Sequence, residues 1–110
     1  MNIEANVRWA EVCASESVEN ESVVKFDHGD RTFAICKSSD GHFHAVDGLC
    51  THERVHLADG FVFDHSIECP KHSGMFDIRT GQALGAPVCV NLRTYPIKVD
   101  AGKVFIGLED

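Results

Sequence analysis

Four residues near the middle of the chain fall into two short blocks of matched type. Cys50 and His52 lie in Cys-Thr-His, and Cys69 and His72 lie in Cys-Pro-Lys-His. Thiolate and imidazole are both good ligands for transition metals. Sixteen residues separate the blocks. In zinc fingers the cysteines pair with one another and the histidines follow on a helix, whereas here each block supplies one sulfur and one nitrogen. That division suits a binuclear iron centre with one iron on two cysteines and the other on two histidines. Two bridging sulfides, two thiolates and two neutral imidazoles leave such a centre neutral when oxidised and singly negative when reduced. It accepts an electron more readily than an all-cysteine centre. A zinc-stabilised interaction domain and a catalytic cysteine are the competing readings. The catalytic reading lacks a third group to orient the histidine, and it leaves the second block unexplained.

Ligands of this kind need strands to hold them. The segments 22–27 and 31–37 are rich in β-branched and aromatic residues, with a turn at His28-Gly29-Asp30. Residues 38–41 turn the chain into an alternating segment, 42–47. Short strands follow at 61–64, 66–69 and 74–79, with a turn at Thr80-Gly81-Gln82. The segments 94–99 and 103–108 flank Asp100-Ala101-Gly102 as a closing hairpin. Only 9–20 has room for a short helical turn. The pattern predicts an all-β fold of antiparallel sheets, with both Cys–His blocks on loops at the ends of neighbouring hairpins.

Bulk properties set the frame. The chain has 110 residues, enough for one domain with a modest core. Its formal net charge of −7 argues against nucleic acid and against an anionic membrane surface as partners. The opening residues carry Glu4 and Arg8 and no apolar run, so they do not read as a targeting peptide. No stretch reaches the roughly 18 apolar residues of a membrane span. A cytoplasmic location is expected, where cysteines serve as ligands, nucleophiles or packing residues rather than as a disulfide framework. Cys13, Cys36 and Cys89 have no ligand-like neighbour, and Cys36 reads as a core residue. His28, His42, His44, His56 and His65 read as surface or turn residues.

The two blocks, CTHE and CPKHSGMFDIRTG, resemble the Rieske [2Fe–2S] motif. Nearly the whole chain resembles the small Rieske-type ferredoxins of multicomponent aromatic-ring-hydroxylating dioxygenases. The resemblance implies three stacked antiparallel sheets in a single domain, 1–110, with a cluster-binding subdomain over about 46–88 at one end. It implies one [2Fe–2S] cluster, with Cys50 and Cys69 on one iron and His52 and His72 on the other. It also implies a third loop, GAPVCVNL, in which Pro87 covers the cluster. Rieske proteins of respiratory and photosynthetic complexes carry a further cysteine in each loop, and here those positions are Val55 and Lys71. They also carry two hydroxyl residues beside the cluster, where this chain has Gly74 and Phe76. The implied role is that of a monomeric electron carrier, not an enzyme. It would take one electron from a flavin-containing, NAD(P)H-dependent reductase and pass it to a terminal oxygenase component. Glu53, Asp59, Asp64 and Glu68 would steer it onto a basic partner. The alternative is the small Rieske-like subunit of an assimilatory nitrite reductase.

Overall fold

The computed structural model describes residues 7–51, 54–71, 74–85 and 90–109. Their strands form three antiparallel sheets. The first holds β1 (Val7–Ala14), β9 (Ile97–Asp100) and β10 (Lys103–Glu109), in the order β1-β10-β9. The second holds β2 (Ser22–His28), β3 (Arg31–Lys37), β4 (Phe43–Asp47) and β8 (Thr94–Tyr95), in chain order. The third is a small meander of β5 (Phe61–Phe63), β6 (Ser66–Glu68) and β7 (Met75–Asp77). The hairpins lie where the sequence places them. His28 pairs with Arg31 across Gly29–Asp30. Asp100 pairs with Lys103 across Ala101 and Gly102, whose φ of 51° and 77° make the two-residue turn that matches strand twist.

The second sheet is the middle layer, and β3 shows why. Phe33, Ala34, Ile35 and Cys36 are all buried, because both faces of this sheet are covered. Phe33 and Ile35, with Ala45, pack against Val104, Ile106 and Leu108 of the first sheet. Ala34 and Cys36, with Val46, pack against Val62, Ile67 and Phe76 of the third. Each fully buried Ile or Phe in these layers contributes about 1.5–3 kcal/mol through lost apolar surface. The expected three-layer all-β stack is the observed one.

The helical turn expected within 9–20 is present at Ser15–Ser17, and it follows a strand, β1, that was not expected. A β-bulge hides that strand in the sequence. Glu11 pairs with Phe105 and Cys13 with Val104, leaving Val12 as an extra residue. The exposed residues Arg8, Glu11 and Ala14 therefore fall three apart and imitate a helix face. The predicted strand 94–99 divides at Pro96. Thr94–Tyr95 pairs with β4, and Ile97 onward pairs with β10. Proline has no N–H for a ladder, so the chain changes sheets there.

A polar clasp joins the second and third sheets. Both ring nitrogens of His65, in the β5–β6 turn, face carboxylates. Nε2 is 3.3 Å from Asp40 and Nδ1 is 3.2 Å from Asp64. Hydrogen bonds from Ser38 and His65 hold the Asp40 carboxyl well below the usual carboxylate range. Asp64 is also lowered, chiefly by the Ser39 hydroxyl. The clasp sits at the far ends of β4 and β6 from the Cys–His loops.

Candidate metal centre

The two Cys–His loops are built alike. In the first, β4 runs on through Gly48 to Leu49, which bridges to His56. Cys50 N–H then donates to the Val55 carbonyl at 3.0 Å. In the second, Glu68 pairs with Met75 at the end of the β6–β7 ladder, and Cys69 N–H donates to the Gly74 carbonyl at 2.7 Å. Each loop is thus a six-residue closure with cysteine as its first member. His52 and His72, the other two candidate ligands, fall between the ends of these closures and lie outside the described residues; Glu53, Pro87 and Cys89 also lie outside them.

The cysteines point inward. Cys50 is 4% exposed and Cys69 is 1% exposed, and both belong to one apolar cluster with Leu57, Ile67, Phe76 and Leu92. The described residues beside the candidate histidines (Thr51, Arg54, Pro70 and Lys71) are all exposed. Each loop therefore carries its sulfur at the core and its outer edge in water. Two buried thiolates brought to one cluster suit the sulfur half of a binuclear centre. Among the described residues, no group of three or more His, Cys, Asp or Glu side chains is placed to hold a metal ion.

Neighbouring elements brace the loops. The Thr51 hydroxyl donates to the Val90 carbonyl at 2.6 Å, tying the first loop to the end of the predicted third loop. The stem of that third loop is closed by Leu92 N–H to the Gly81 carbonyl, 2.8 Å. It is also held by Ala83 N–H to Asn91 Oδ1, 3.0 Å. Beyond β7, Arg79 donates through Nε and a terminal nitrogen to the two oxygens of Asp77, at 3.1 and 2.9 Å. The guanidinium holds the Asp77 carboxyl below its ordinary value.

Cys36 is the core residue the sequence implies. Burial pushes its thiol up to about 12, which keeps it neutral and unreactive. Cys13 is half-buried on β1. Phe76 is fully buried in the same cluster as Cys50 and Cys69, so the position without a hydroxyl does face this core. His56 is a turn residue, as expected, but half-buried, and His44 lies on β4 rather than at the surface or in a turn. His44 is half-buried opposite Cys36, its Nε2 meets no hydrogen-bond partner among the described residues, and burial lowers its basicity. His56 is half-buried with both ring nitrogens bonded, Nδ1 to Ala58 N and Nε2 to Thr32 Oγ1. The signal for His56 was its place just before Leu57-Ala58-Asp59, where a side-chain acceptor caps a tight turn. The acidic steering residues also spread apart. Asp59 is exposed and Glu68 half-buried, while Asp64 is engaged in the clasp at the other end of β6.

Comparison with known proteins agrees with this geometry. Residues 8–96 match the Rieske [2Fe–2S] domain family. The ferredoxin component of a naphthalene 1,2-dioxygenase system from Pseudomonas aeruginosa is 48% identical over 101 residues, covering 92% of this chain and 96% of that protein. Among solved structures, a ferredoxin of Sphingomonas yanoikuyae B1 superposes with a TM-score of 0.84 at 33% identity, covering 92% of this chain and 99% of that one. A chain in a complex of reduced oxygenase and oxidised ferredoxin of carbazole 1,9a-dioxygenase gives 0.84 at 28% identity, covering 88% and 99%. A nitrite reductase small subunit from Mycobacterium tuberculosis also gives 0.84 over 94% and 97%, at 22% identity, and shares the fold. No helix of the described residues is long and apolar enough to cross a membrane. The chain belongs to the Rieske [2Fe–2S] family and, within it, to the ferredoxin components of aromatic-ring dioxygenase systems, electron carriers with one Rieske-type cluster.

Proposed function

We propose that this ferredoxin carries single electrons from a flavin-containing, NAD(P)H-dependent reductase to the terminal oxygenase of an aromatic-ring dioxygenase system. Cys50 and Cys69 hold one iron, and His52 and His72 hold the other. The observation that carries the assignment is the matched pair of closures, Cys50–Val55 and Cys69–Gly74, whose cysteines are buried in one apolar cluster. When bound, the cluster would supply one reversible electron. The chain's own residues do the rest. Leu57, Ile67 and Phe76 keep water from the sulfur side. The exposed residues Thr51, Arg54, Pro70 and Lys71 offer a surface for docking beside the loops. The cluster-binding subdomain spans about 46–88, and the chain works as a cytoplasmic monomer that meets its two partners in turn. The nitrite reductase reading has support from shared fold only.

The test is direct. Purified protein should hold two irons and two acid-labile sulfides per chain. Substituting Cys50→Ser, Cys69→Ser, His52→Ala or His72→Ala should each abolish them. Wild type should restore naphthalene oxidation when added to the separate reductase and oxygenase of a naphthalene dioxygenase system. Stoichiometric zinc without iron would refute the site. A loaded protein that no such reductase reduces would refute the role.

A further inference from the structure

The two ligand loops close alike but are not supported alike. The second springs from β6 and β7, both strands of one sheet, so both of its stems lie in a ladder. The first has β4 on its entry side only. On the exit side, Val55–Gly60 belongs to no sheet. Its main-chain attachment to β4 is the isolated Leu49–His56 bridge, made by Leu57 N–H to the Gly48 carbonyl at 2.8 Å and Cys50 N–H to the Val55 carbonyl at 3.0 Å. A stem held this way frays more readily than a ladder.

The side chain of His56 fills the deficit. Its Nδ1 accepts from the Ala58 N–H at 3.0 Å and so caps the tight turn Leu57–Asp59. With Nδ1 occupied as an acceptor, the proton sits on Nε2, which donates to Thr32 Oγ1 of β3 at 2.8 Å. The ring reaches Thr32 by passing over Gly48. A Cβ at that position would lie 2.6 Å from His56 Nε2, so only glycine leaves the path open. Cap, bridge and cross-strand bond converge on one residue. We propose that His56 is the positioning residue of the first ligand loop, clasping its exit stem to β3 and so holding Cys50 in register with the second loop.

The clasp requires a neutral ring, because protonated Nδ1 would turn a donor toward the donor Ala58 N–H. Burial lowers the basicity of His56, reinforced by Lys25 of β2 and opposed by Asp59 of its own turn and Asp27 of β2. The sign follows. A histidine held neutral in the fold binds fewer protons there than in the opened state. The clasp is therefore at full strength above the ordinary histidine value of about 6.5 and weakens as pH falls below it.

The inference rests on Cys50 and His52 as ligands, and the experiment separates the two claims. Hydrogen exchange of the segment 55–60 is followed by mass spectrometry in iron-loaded wild type, His56→Ala, His56→Asn and Thr32→Val, alongside the rate of iron release to a chelator. Asparagine restores the cap acceptor but does not titrate. Near pH 7.5, His56→Ala should exchange and release iron about fivefold faster than wild type, the usual effect of losing a cap, and His56→Asn should recover most of this. Thr32→Val should loosen the stem without removing the cap. Between about pH 7.5 and about pH 5.5, wild type should lose protection relative to His56→Asn, after correction for intrinsic exchange. If wild type and His56→Asn keep a constant ratio across that range, or if His56→Ala leaves 55–60 as protected as wild type, the clasp is refuted. If His56→Ala does not load iron, His56→Asn and Thr32→Val decide the matter by the same two measurements. A wrong ligand assignment appears separately, as normal iron content in Cys50→Ser.

Discussion

Phe76→Tyr places a hydroxyl in the core that surrounds the candidate sulfur ligands. Phe76 is 0% exposed, pairs with Ile67 across β6 and β7, bridges to Ala83 on its other side, and shares a cluster with Cys50 and Cys69. A phenol introduced there has two possible fates. If it reaches a sulfur of the centre, it stabilises the extra negative charge of the reduced state more than the oxidised state. A differential of about 1.4 kcal/mol is modest for a hydrogen bond to a charged group, and for a one-electron couple it equals about 60 mV. If it reaches nothing, an unsatisfied buried hydroxyl costs about 1–3 kcal/mol of stability and leaves the potential where it was. We expect the first outcome, starting from a wild-type potential near about −150 mV, the low end of the Rieske range. Protein-film voltammetry reads the potential, and thermal unfolding of the loaded protein reads the stability. An unchanged potential with lost stability would refute the reasoning that this position faces the cluster. A wild-type potential well above zero would contradict the low-potential carrier assignment altogether.

Three further outcomes follow from the same geometry. Gly81→Ala should cost about 1–3 kcal/mol by denaturant titration, since Gly81 has φ 79° and its Cβ would meet the Leu92 carbonyl at 2.2 Å. The same change should speed proteolysis across the third loop, whose stem is closed by the Leu92 N–H bond to the Gly81 carbonyl. Cys36 should resist thiol-directed alkylation in the native protein near pH 8 and react fully in denaturant, because its thiol is pushed up to about 12. Asp77 is depressed by its Arg79 partner, so its contribution to stability is complete above the usual carboxylate value and is lost as pH falls through that value toward the depressed one. Asp77→Asn should flatten that part of the acid-unfolding curve, and an identical acid limb in wild type and variant would sink the assignment.

Local signals carried the hairpins and the places of the two cysteine loops. Gly29–Asp30 and Ala101–Gly102 sit between alternating apolar runs, and each Cys–His block follows a strand and precedes a turn. β3 was recognisable as a strand, yet only the stack explains why Phe33–Cys36 has no polar face. What escaped depends on long-range pairing. β1 became a strand because β10 lies beside it, and the bulge at Val12 erased its alternation. The division at Pro96 was written in the sequence as a missing N–H, but which sheet each half joins was not. His56 looked like one histidine among several. Its role depends on Thr32, twenty-four positions away, and on the gap left by Gly48.

The double-sided burial of β3 and β4 gives the protein engineer an address system. On these strands odd-numbered residues (Phe33, Ile35, Ala45) face the first sheet, and even-numbered ones (Ala34, Cys36, Val46) face the compartment of Cys50 and Cys69. A substitution can therefore be sent to one compartment or the other by parity alone. Repacking at odd positions, matched at Val104, Ile106 and Leu108, adjusts the durability of the scaffold while leaving the walls around the candidate ligands untouched. Repacking at even positions changes the medium around the sulfur ligands with little effect on the outer sheet. Durability and redox tuning thus have separate controls on the same two strands, one residue apart.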